Sequence, residues 1–77
     1  MNNKEKLEQL NKLDSTKITN IEMTSIGLLD TFGKLNIQIH IGDEIKALEF
    51  ISPVPKQEIL NWLQKDNLID KATLIQF

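Results

Sequence analysis

His40 is the one side chain here ordinarily equipped to serve as a general base at neutral pH, and the rest of a catalytic set does not surround it. Nucleophilic catalysis needs a Ser, Thr or Lys activated by a base that a third group orients. No Gly-x-Ser-x-Gly or comparable signature accompanies His40. Glu22 and Glu49 could form a carboxylate pair for acid and base work, but any strand protein carries such residues. A structural zinc site needs several His or Cys ligands, and the chain has one His and no Cys. Asp43-Glu44 reads as turn chemistry. The three glycines, at 27, 33 and 42, stand too far apart for a phosphate-cradling loop. These residues predict a protein that is not an enzyme and holds no cofactor or metal.

Binding chemistry is better supplied. Of the four aromatic residues, Phe50 sits in an apolar strand pattern and reads as core, whereas Phe32 falls at a turn and Trp62 at the edge of a helical stripe. Trp is enriched in binding hot spots; the competing reading puts the Trp62 indole in the core with its N–H near the surface. Nine basic residues oppose eleven acidic ones, and every basic residue is Lys. Arg leads bidentate recognition of phosphate and guanine. Its absence, with a net charge of -2 and scattered Lys, argues against a nucleic-acid partner. Such a partner would rely on Lys17, Lys34 and Lys46.

The elements that must position these groups follow from periodicity. Leu7, Leu10 and Leu13 make a narrow stripe in a short amphipathic helix within residues 1–15. At that length the helix is marginal alone, so its three leucines must dock, on the sheet or on a partner. Asp14-Ser15-Thr16 breaks it. From Lys17 to Leu29 β-branched residues favour a strand, with a bulge near Asn20 to reconcile Ile18 and Ile26 with Ile21 and Met23. Asp30-Thr31-Phe32-Gly33 reads as a hairpin turn that pairs Asp30 with Lys34, Gly27 with Ile37 and Ser25 with Ile39.

Leu35, Ile37, Ile39 and Ile41 alternate strictly with Asn36, Gln38 and His40, the pattern of a strand with one buried face. Gly42-Asp43 turns into Glu44 to Ser52, opposing Leu35 to Phe50, Ile37 to Leu48, Asn36 to Glu49 and Gln38 to Ala47. Pro53 and Pro55 end that strand and open a helix. Ile59, Leu60 and Leu63 form its inward arc, and the helix ends near Lys65. The tail from Leu68 to Phe77, β-favouring in Ala72, Thr73, Leu74, Ile75, Gln76 and Phe77, is expected to join the same sheet in parallel.

The fold expected is a single α+β domain over 1–77, in the order α-β-β-β-α-β. It comprises an antiparallel three-stranded meander, a helix packed on one face and a short C-terminal strand. The N-terminus carries charges without a following apolar run, no stretch could span a membrane, and Cys is absent. A cytoplasmic location is expected. A core this small is ordinarily supplemented by disulfides, a metal or a partner, and only a partner remains. The sequence therefore points to a small protein-binding or regulatory module, an inhibitor or adaptor that can also form a homodimer. Its candidate contacts are Trp62, Phe32, Asn36, Gln38, His40 and Glu49. Nucleic-acid association and a role as an accessory subunit of a larger complex are the alternatives.

Overall fold

A computed structural model describes residues 2–76. The elements run α1 (Asn3–Lys12), β1 (Ile18–Leu28), β2 (Phe32–Ile41), β3 (Glu44–Ile51), α2 (Lys56–Lys65) and β4 (Ala72–Gln76), with 3₁₀ turns at Ser15–Lys17 and Leu68–Lys71. The four strands form one sheet in the order β3-β2-β1-β4. β1, β2 and β3 are the antiparallel meander, and β4 lies parallel to β1, with Ile21 beside Ala72 and Met23 beside Leu74. Phe77 lies outside the described residues.

Strict alternation in β2 fixes which face is buried. Leu35, Ile37 and Ile39 pack with Leu48 and Phe50 of β3 and Ile21 of β1. Above them sit Leu10 of α1, Ile59, Trp62 and Leu63 of α2, and Val54 and Leu68 from the connections. Both helices therefore cover the same face of the sheet. Leu10 is fully buried and Leu7 and Leu13 are partly so, which docks α1 onto its own domain. Asn2 caps α1, its side-chain oxygen accepting from the Glu5 amide at 2.9 Å.

The β2–β3 register is the one expected, with Leu35 opposite Phe50 and Asn36 opposite Glu49. The bulge in β1 also occurs, as a register shift between Ile18 and Asn20. It turns both Ile18 and Ile21 into the core. The first hairpin differs from expectation. Gly27 pairs with Gly33 and Ser25 with Leu35, so Asp30 does not face Lys34, and the turn is Leu29 to Thr31. The reason is steric: the backbones at the two glycines approach so closely that a Cβ on Gly33 would lie 2.4 Å from the Ile26 carbonyl oxygen. Only a pair of glycines allows that crossing. Because the difference shifts pairing by an even number of residues, each side chain keeps its expected face.

α2 corrects a second expectation. Trp62, 4% exposed, points inward with Ile59 and Leu63, and Leu60 lies at the rim. At 100° per residue, positions 59, 62 and 63 centre one arc and position 60 falls at its edge.

One polar feature completes the frame. Strand β3 is an outer strand of the sheet, and α1 lies along its free side. Asn3 Nδ2 donates to the Ile51 carbonyl at 2.6 Å, and Asn3 Oδ1 accepts from the Ile51 amide at 3.2 Å. Lys6 Nζ donates to the Glu49 carbonyl. A side-chain amide thus stands in for the neighbouring strand.

Candidate functional site

The face of the sheet turned away from the helices is built from the alternate residues of the same strands. β2 contributes Phe32, Lys34, Asn36, Gln38 and His40; β3 contributes Ile45, Ala47, Glu49 and Ile51; β1 contributes Glu22, Thr24, Ile26 and Leu28. Among the described residues no helix packs on it. Five of the six predicted contact residues, Phe32, Asn36, Gln38, His40 and Glu49, are brought together there. Trp62 is separated from them by the full thickness of the sheet, and its burial makes it an anchor for α2.

Two zones divide this face. The polar zone holds His40, whose Nε2 lies 2.9 Å from Glu22 Oε1, with Asn20 Nδ2 donating to the same oxygen at 3.4 Å. Lys34 Nζ lies 3.5 Å from Glu49 Oε2. These pairs are half-exposed, and a surface ion pair such as Lys34–Glu49 contributes at most about 1 kcal/mol. Among the described residues the His40 ring meets the Glu22 carboxylate, and the Thr19 hydroxyl donates at 3.4 Å to the His40 backbone carbonyl, away from the ring. The arrangement orients the ring.

The apolar zone lies at the hairpin end. Phe32 is 85% exposed, Leu28 68%, Ile51 48% and Ile26 41%. Register makes them neighbours: Leu28 pairs with Phe32, Ile26 with Lys34, and Lys34 with Ile51. With fully exposed side chains of this kind presenting on the order of 150–250 Å², the four offer roughly 450 Å² of apolar surface. The largest patch on an ordinary monomer falls within about 300–600 Å² and is often functional. A depression of about 350 Å³ opens beside Phe32, lined by Ile26, Gly27, Gly33, Lys34, Ile51 and Ser52.

This zone is held in place from below. Ser52 donates its amide to the Gly33 carbonyl at 3.0 Å and its hydroxyl to the Thr31 carbonyl at 3.2 Å, and the Ser52 Oγ accepts from the Gly33 amide at 3.1 Å. The Val54 amide donates to Leu29 at 2.8 Å, and Lys56 Nζ lies 2.8 Å from Asp30 Oδ1. The β1–β2 turn is thereby stitched to the segment leaving β3. The backbones that carry Phe32 and Ile51 are thus tied into one platform.

Ile26, Leu28 and Ile51 escape the sequence reading because each is a strand hydrophobe whose face depends on register. A signal was present: Ile26 was already out of phase with Ile21 and Met23. The three Lys proposed for a nucleic acid do not converge. Lys34 is paired with Glu49, while Lys17 and Lys46 border a depression of about 510 Å³ shared with Asp14, Asp43 and Glu44. Among the described residues no group of three His, Cys, Asp or Glu is placed to hold a metal ion, and no helix is long and apolar enough to cross a membrane. Comparison with protein families, curated proteins and solved structures finds no match for this chain.

Proposed function

We propose that the chain is a non-enzymatic, cytoplasmic protein-binding module that docks a protein through the outer face of its sheet. The observation carrying this reading is the apolar zone around Phe32, exposed on a hairpin that Ser52, Val54 and Lys56 hold in position. Asn36, Gln38, His40 and Glu49 form the polar rim such an interface requires. Docking through the Trp62 helix is less favoured, since the indole is enclosed. A nucleic acid finds no continuous basic track on this face, where Lys34 is matched by Glu49.

The test is site-specific photocross-linking in the native host. A benzophenone side chain at position 38, on the outer face, is compared with one at position 57, on the exposed side of α2. Discrete protein adducts from position 38 that disappear with Phe32→Ser, and are not formed from position 57, are the expected result. Equal labelling from both positions, or adducts indifferent to Phe32, would count against the outer face.

A further inference from the structure

We infer that the occupant of the apolar zone is a second copy of this chain, seated about a two-fold axis so that Phe32 of each copy enters the depression of the other. This inference rests on the reading of the outer face as a docking surface.

An isologous dimer needs a patch that complements itself, with a projection and a recess side by side. The hairpin end has both. Phe32 is the most exposed large apolar side chain among the described residues, and it borders the recess of about 350 Å³. The floor of that recess is backbone at Gly27 and Gly33, which pair directly across the hairpin with no side chain on either. Ile26 and Ile51 form apolar walls. A cavity of about 150 Å³ already accommodates benzene, so a phenyl ring is admitted with room to adjust.

Charge favours a like partner over a strongly charged one. The cation within the zone, Lys34, lies 3.5 Å from Glu49, and Asp30 beneath it lies 2.8 Å from Lys56. Each pair closes within its own chain. Two such faces meet without like-charge repulsion, whereas an acidic or basic partner would find no opposite charge left unmatched.

Area places the contact in a size class. Roughly 450 Å² of apolar surface from each copy, plus the adjoining rim, brings the total to about 1,000 Å², the lower end for specific association. Interfaces of that size class are typically weak and transient, for which a Kd on the order of 10–500 µM is the range to search.

Sedimentation velocity on the full chain, from about 5 µM to 1 mM so as to bracket that Kd, tests the inference. Wild type should pass from monomer to dimer across this range. Phe32→Lys and Ile51→Lys should each weaken dimerisation by more than about 30-fold, as central hot-spot residues do. Leu74→Lys, an exposed site on the helix side, should leave Kd within about twofold. Circular dichroism at low concentration should be unchanged in all three. Intermolecular contacts between the Phe32 ring and Gly27, seen by NMR in a mixed-isotope sample, should appear only in dimer. A wild type that stays monomeric at the highest concentration overturns the inference, as does a dimer that Leu74→Lys breaks and Phe32→Lys spares. If that monomer still gives Phe32-dependent adducts from position 38, the second copy is eliminated and the docking face survives. If it gives none, both readings fall.

Discussion

Leu10→Ala measures how firmly α1 belongs to the domain. Leu10 is the one residue of α1 that is fully buried, and its side chain meets the same cluster as Trp62 and Phe50. Removing a buried leucine to the β-carbon ordinarily costs about 2–5 kcal/mol, set by how far the surroundings collapse into the space. α1 is a ten-residue helix held to the rest mainly through α2 and β3, so it can settle inward, and the lower half of that range, about 2–3 kcal/mol, applies. A domain of this length has on the order of 4–12 kcal/mol in all. The loss is thus a large fraction of the total, and lowers Tm by about 10–20 °C. Trp62 is the sole tryptophan and is buried, so its fluorescence follows urea unfolding without a label. With a slope of about 1 kcal/mol/M for so small a protein, the midpoint should fall by roughly 2–3 M. Leu60→Ala at the rim of α2 serves as control and should cost less than about 1 kcal/mol. A Leu10→Ala protein within about 0.5 kcal/mol of wild type would show that α1 is not packed as described.

Three further outcomes are expected. Gly33→Ala should destabilise by more than about 2 kcal/mol, because the new Cβ would meet the Ile26 oxygen at 2.4 Å and the Leu28 amide nitrogen at 2.7 Å; Gly42→Ala, with φ +58 and nothing within 4 Å, should cost about 1 kcal/mol from backbone strain alone, and equal losses in thermal melts would refute the contrast. Asn3→Ala removes the acceptor for the Ile51 amide, so that amide should exchange with solvent at least about tenfold faster by NMR, with unchanged exchange at Ile37 as the internal reference. Hydrogen bonds from the Thr16 hydroxyl and then the Thr16 amide hold the Asp14 carboxyl below the usual carboxylate range. A lowered folded-state pKa stabilises fully above the ordinary value near about 3.9, and that gain is lost as pH falls through the folded value. The stability gap between wild type and Asp14→Ala should therefore hold steady from about pH 7 to 5 and shrink below about pH 4; a gap that widens on acidification would contradict the assignment.

The β2–β3 hairpin was legible because alternation and a two-residue turn specify the same register twice, once by burial and once by loop length. The α-β-β-β-α-β order was legible from the helical stripes and the turn and proline residues between the strands, and the parallel placement of the last strand from the crossover preference. What escaped were decisions made by tertiary fit. The Gly27–Gly33 crossing is a backbone contact, invisible to any pattern of hydrophobicity, and it moved the first turn by two residues. Trp62 lay at the margin of a helical stripe, where a small rotation of α2 decides between Trp62 and Leu60; the larger ring took the core. The outer face was half legible: its polar residues in β2 and Glu49 were placed correctly by alternation, whereas Ile26, Leu28 and Ile51 read as ordinary strand hydrophobes, because their exposure depends on the register and on both helices packing against the opposite face.

The amide of Asn3 and the ammonium of Lys6 occupy the free hydrogen-bonding positions of β3 at Ile51 and Glu49, and the same helix supplies Leu10 to the core. Protection from templated aggregation is therefore tied to the integrity of the core. An excursion that lifts α1 uncovers apolar surface and an unpaired strand in one event, the combination from which cross-β growth begins. While α1 is seated, a further strand cannot pair with β3 at Ile51 and Glu49. A substitution in α1 that leaves the folded state populated but loosens the helix would show itself first as slow fibre formation, well before any loss of secondary structure in the monomer.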